Sequence, residues 1–79
     1  MRKRERDALL KKAYEKLQEA YDLLQEADEA EQEALEGWPE NMQESERYEA
    51  AAERAEQVSE WLSTVEETFN AIEEAIGLL

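Results

Sequence analysis

Apolar residues recur along the first part of the chain at alternating spacings of three and four. Leu10, Ala13, Leu17, Ala20, Leu24, Ala27 and Ala34 carry this beat, with Glu31 as its one polar member. That is the seam of an amphipathic helix, predicted over about residues 5–36. Tyr14, Tyr21 and Leu35 widen the stripe on one side, and Leu9, Leu23 and Ala30 on the other. A second seam runs without a break through Tyr48, Ala51, Ala55, Val58, Leu62, Val65, Phe69, Ile72, Ile76 and Leu79. It predicts a second helix over about 45–76.

Between them lies "LEGWPENMQESERYE", Leu35 to Glu49, with the first Gly, the first Trp and the only Pro in adjacent positions. Gly37 is expected to take the left-handed conformation that ends a helix. Pro39 forbids helical continuation and biases Trp38 to an extended shape. Asn41 with Glu44 three residues on has the form of a capping box, and Ser45 is a second candidate cap. Gly77 is the candidate C-cap of helix 2. The expected fold is therefore all-α: a single domain, residues 1–79, folded as an antiparallel two-helix hairpin with its turn at 37–44. The two seams align when the position numbers of facing residues sum to 82, as in Ala13/Phe69, Leu24/Val58 and Ala34/Tyr48.

One flank stays apolar in that arrangement. Leu9 neighbours Ala75, Leu23 neighbours Trp61, and Ala30 lies on the same side. Contiguous exposed apolar strips mark association. The strip docks against a copy of itself, making a homodimeric four-helix bundle, or binds a different protein, or is covered by Trp61 folding back. The first is the expectation.

Composition narrows the functions. Seventy-nine residues support one small domain with a marginal core. There is no Cys and no His, which excludes disulfides, zinc sites, thiol chemistry and histidine acid–base catalysis. No phosphate-cradling Gly-rich loop, calcium loop or nucleophile beside a base is present. The expectation is a non-enzymatic protein without cofactor, metal or catalytic residues. No apolar run approaches a membrane span, and a cytoplasmic location is expected.

The net charge is −13, which repels nucleic acid and anionic membranes and attracts basic proteins. It is unevenly placed: residues 1–16 carry seven basic and three acidic groups, and residues 17–79 two and nineteen. The basic arm either neutralises Glu66, Glu67, Glu73 and Glu74 across the hairpin, or binds nucleic acid or lipid, or is a solubilising terminus. Acids form outward stripes: Glu15, Glu19, Asp22, Glu26, Glu29, Glu33 and Glu36 on helix 1, and Glu46, Glu49, Glu53, Glu56, Glu60, Glu67 and Glu74 on helix 2. Like charges at i,i+4, such as 49/53 and 56/60, cost a few tenths of a kcal/mol per pair. The excess therefore serves something other than helix stability: solubility, or imitation of a nucleic-acid phosphate row. The turn has a polar half, Gln43, Glu44, Glu46 and Arg47, that exceeds what a turn requires. With Trp38 it is a candidate turn site.

The turn and helix 2, in "GWPENMQESERYEAAAE" and the ending "AIEEAI", resemble small acidic helical proteins encoded by phages and prophages of Gram-positive bacteria. Pro39, Glu40, Asn41, Gln43, Ser45, Glu46 and Arg47 carry the likeness. It implies a mobile-element origin, a place in the host cytoplasm, and action by binding and blocking a host protein, DNA mimics and anti-CRISPR proteins among the ways. A component of the phage that acts through the turn is a third reading.

Overall fold

The computed structural model describes residues 1–77. It is all-helical. Helix α1 spans Lys3–Glu36, a 3-10 turn covers Glu40–Met42, and helix α2 spans Glu46–Gly77. There is no strand among the described residues. The expected boundaries hold to within two residues. Leu79, placed at the end of the second seam, lies outside the described residues.

Helix α1 starts where the Glu5 carboxylate accepts the Arg2 backbone N–H at 3.3 Å. At its other end Gly37 is right-handed, with φ −78° and ψ −4°, not left-handed as expected. The helix instead closes by tightening: Gly37 N–H bonds Glu33 O, and Trp38 N–H bonds Leu35 O, both at 3.1 Å. Pro39 is extended at φ −60° and ψ 138° and leads into the 3-10 turn. The chain reverses through that second turn, so no left-handed residue is needed. Asn41 lies inside the 3-10 turn and caps nothing. Ser45 is the cap of α2. Its Oγ accepts the Tyr48 N–H at 3.2 Å and donates to Met42 O at 2.7 Å, fixing the turn to the helix start. Gly77 is the last residue of α2, with positive φ at no glycine among the described residues.

The helices pack antiparallel, as their cross-contacts show. Glu31 Oε1 meets Arg54 Nε at 2.9 Å. Ser59 Oγ donates to Asp28 Oδ1. Phe69 packs on both Tyr14 and Tyr21, with ring centroids 5.9 and 5.2 Å apart. Trp38 meets Tyr48 edge-on at 5.8 Å. The expected register is displaced. Phe69 sits between Tyr14 and Tyr21, about level with Leu17, not opposite Ala13. The other three pairs have position numbers summing to 85–87 in place of 82. Helical side chains lean toward their own N-terminus, so in an antiparallel pair the tips that meet belong to residues further along each helix than those whose Cα atoms are level. Part of the offset is that lean, and the rest is a real slide.

The contact face of α1 is also rotated. Ala13 and Ala34 are exposed, whereas Tyr14, Tyr21, Asp28 and Leu35 are half-buried. An alanine brings little surface to a seam, while a tyrosine folds over it and fills the groove beside Phe69.

The resulting core is thin. Among the described residues only Ala55, 1% exposed, and Val58, 6% exposed, are buried. Leu17, Leu24, Leu62, Val65, Phe69 and Ile72 are half-buried. The shape is a rod with Cα extents of 60 × 18 × 15 Å. Its radius of gyration is 17.8 Å, against about 12 Å for a compact chain of this length.

Candidate functional site

Two helices side by side expose two broad faces and two outer edges. A helix advances about 100° per residue, so the sequence assigns each residue to a face once the contact face is known. Tyr14, Tyr21 and Ser59 lie toward one broad face. Leu9, Leu23, Ala30, Trp61 and Ala75 lie toward the other.

All five strip residues are exposed. Leu9 is 54% exposed, Leu23 65% and Trp61 54%, the values expected of residues with no partner in the hairpin. Trp61 does not fold back to cover the strip. Leu23 and Trp61 are level with one another, and each is near the middle of its helix. The Glu31–Arg54 ion pair lies on this side and fixes the edge of the strip.

The acid stripes run along the two outer edges, facing away from the contact. Glu46, Glu49, Glu53, Glu56, Glu60 and Glu67 are all exposed. Among the described residues none of them is in an ion pair. The three pairs that form are Lys3–Asp7 at 2.9 Å, Lys16–Glu19 at 3.6 Å and Arg54–Glu31. The basic arm does not reach across the hairpin: among the described residues no ion pair joins it to Glu66, Glu67, Glu73 or Glu74. The arm's cations border a shallow open groove lined by Lys3, Arg4, Asp7, Ala8 and Lys11.

The turn divides as its residue types suggest. Trp38 is half-buried against Tyr48, and its indole Nε1 is buried without a partner. Gln43, Glu44, Glu46 and Arg47 are exposed, and among the described residues their side chains form no ion pair. The structure thus separates Trp38 from the polar residues that were grouped with it. The Asp28–Ser59 hydrogen bond is the feature that sequence reasoning missed. Asp28 at 100° per residue is beside Tyr21 and Leu24, and a carboxylate inside an apolar stripe is the signal that could have found it.

No group of three or more acids is arranged to hold a metal ion among the described residues. No described helix is long and apolar enough to cross a membrane. The chain matches no family model, no curated protein and no solved structure. The likeness to small acidic phage proteins therefore rests on the turn residues alone.

Proposed function

We propose that the protein is non-enzymatic and acts through protein–protein contact as a homodimer, two hairpins joining by the Leu9–Leu23–Trp61 strip into a four-helix bundle. One observation carries this: among the described residues the hairpin buries only Ala55 and Val58, and it leaves two leucines and a tryptophan largely in water on one face. Area gives the scale. The chain exposes 6385 Å², whereas a compact monomer of 9.2 kDa exposes about 4,900 Å². Two hairpins expose about 12,800 Å², and a compact body of twice the mass about 8,200 Å². The difference exceeds the roughly 1,600 Å² of a standard stable interface. Analytical ultracentrifugation over micromolar to millimolar concentration tests the proposal, and a wild-type protein that stays monomeric throughout defeats it.

A second reading is favoured by the unpaired edge stripes. The dimer is then a DNA-mimicking inhibitor of a basic, nucleic-acid-binding host protein, of anti-CRISPR or other anti-defence type, as the phage resemblance implies. It predicts competition with DNA for that protein, weakening steeply with salt. Capture from the host cytoplasm that recovers no basic protein would count against it. The acids to substitute are Glu49, Glu53, Glu56 and Glu60.

A further inference from the structure

The strip face has a charge pattern of its own. On α2 the positions that continue the face of Trp61 at helical spacing are Arg47, Ala50, Arg54, Gln57, Thr64 and Thr68. None is acidic, although α2 carries nine glutamates. Both threonine hydroxyls turn back onto their own helix. Thr64 Oγ1 donates to Glu60 O at 3.0 Å, and Thr68 Oγ1 to Thr64 O at 2.8 Å. Their hydrogen bonds are thereby met within α2, which leaves methyl groups for the surface. On α1 the same face runs through Leu9, Lys12, Lys16, Glu19, Leu23, Glu26 and Ala30, and of its two acids Glu19 is paired with Lys16. A protein of net charge −13 has kept its acid off the α2 half of this face and put most of the excess on the edges. A face meant for a basic partner would carry the acids. A face meant for an identical copy must avoid them.

The same face is also polar along its length. Its arm half presents Leu9, Lys12 and Lys16, and its turn half presents Ala30, Ala34 and Gly37. These sets lie at matching distances either side of Leu23: 16 and 30, 12 and 34, 9 and 37. Long residues thus mirror short ones about the middle of the rod. Charge divides at the same height. Residues 23–61 hold thirteen acids and two bases, a net of −11, and the rest hold nine and seven, a net of −2.

We propose that the second copy docks antiparallel, on a two-fold axis that crosses the hairpin at the height of Leu23 and Trp61. This rests on the homodimer reading and adds its geometry. Leu23 and Trp61 then meet their own counterparts at the centre, and Leu9, Lys12 and Lys16 lie over Gly37, Ala34 and Ala30 of the second copy. Large against small lets the helices close to native density. A parallel dimer sets −11 against −11. The antiparallel one sets −11 against −2, which lowers the product of facing charges roughly threefold. It also brings each basic arm alongside Glu36, Glu40 and Glu44 of the second copy, which gives the polar half of the turn a partner that the hairpin alone does not supply.

The chain has no cysteine, so a single Ala8→Cys carries one spin label per copy. Ala8 is exposed and lies on the α1 edge, off the strip face. Pulsed electron spin resonance reads the distance between the two labels. The antiparallel dimer places them about 45 Å apart, from 15 residues either side of Leu23 at ~1.5 Å each. A parallel dimer holds both at one end, within about 30 Å across a four-helix bundle. A peak near the longer distance supports the proposal. A peak at the shorter one overturns it while leaving the homodimer intact. No dipolar coupling, with a monomer in the ultracentrifuge, overturns the homodimer and this geometry with it. Charge exchange gives a second measure. Lys12→Glu weakens dimerisation several-fold, and Glu33→Lys in the same chain restores it. Those residues are about 32 Å apart along one helix, so they couple only between copies. Glu73→Lys, which restores net charge at the other end of the rod, does not rescue. Equal rescue by both overturns the antiparallel contact.

Discussion

Trp61→Ala is the perturbation that bears most directly on the proposed assembly. A tryptophan side chain offers up to about 250 Å², and Trp61 leaves 54% of its surface in water. About 135 Å² is therefore available to a partner, of which an alanine would keep about 35 Å². Losing about 100 Å² at ~25 cal/mol per Å² costs about 2.5 kcal/mol per copy. Both copies change in a homodimer, so the total is about 5 kcal/mol. At 1.4 kcal/mol per decade the dissociation constant rises by about three and a half orders of magnitude. Folding of the hairpin is affected less, because Trp61 lies off the contact face and leaves more than half of its surface in water. Sedimentation velocity across concentration reads the dimer, and far-UV circular dichroism reads the helices. If Trp61→Ala dimerises as tightly as wild type, the strip is not the interface. If it loses helix content in step with the dimer, Trp61 belongs to the hairpin and the assignment of faces is wrong.

Ser45→Ala removes the α2 cap, whose Oγ serves both Tyr48 N–H and Met42 O. The expected cost is about 1 kcal/mol, a fall in melting temperature of about 4–8 °C, and an unchanged melt would show the cap idle. The Asp28–Ser59 bond ties the helices across a half-buried edge. A double-mutant cycle with Asp28→Ala and Ser59→Ala is expected to show about 1 kcal/mol of coupling, and additive effects would remove the bond from the account. Gly37→Ala is expected to stabilise by about 0.4–1 kcal/mol, since φ is −78° and an added Cβ meets nothing nearer than Glu33 O at 3.6 Å. A loss of stability in a urea titration would refute that.

The elements were legible in the sequence and their pairing was less so. Seam spacing located both helices because a period near 3.5 sustained over nine turns has no other reading. Pro39 and Ser45 marked the turn through local chemistry that needs no knowledge of the rest of the chain. Register is a different kind of quantity. A heptad pattern slid by three or four residues again sets apolar against apolar, so small-against-large matches such as Ala13 with Phe69 have rivals one turn away. The structure chooses through residues that the pattern set aside: the two tyrosines that clasp Phe69, and Asp28, which finds Ser59. Gly37 misled for a related reason. Glycine at a helix end permits a left-handed residue without requiring one, and the 3-10 turn after Pro39 made it unnecessary. The strip was legible because Leu23 and Trp61 lie too far round their helices to reach the seam, and a modest rotation of that seam toward Tyr14 and Tyr21 moved them further out.

Salt separates the two things this surface is proposed to do. Duplex DNA carries one charge per ~1.7 Å of axis. One hairpin carries −13 over a rod of 60 Å, or about one net charge per 4.6 Å. Two hairpins laid side by side over the same length reach about one per 2.3 Å, so only the dimer approaches the density of the molecule it would imitate. Assembly through a face free of α2 acids still brings two net anions together, and salt screens that repulsion. Dimerisation is therefore expected to tighten between 50 and 300 mM NaCl. Binding to a basic groove is expected to weaken over the same range, by the release of counterions. At fixed protein concentration near the dimer dissociation constant, the opposing trends give binding an optimum at intermediate salt, and Trp61→Ala shows only the decline at any concentration. A wild-type dimer that loosens as salt rises would mean that attraction between unlike charges dominates its interface. The sparing of the strip face from acid would then not be what holds the copies together.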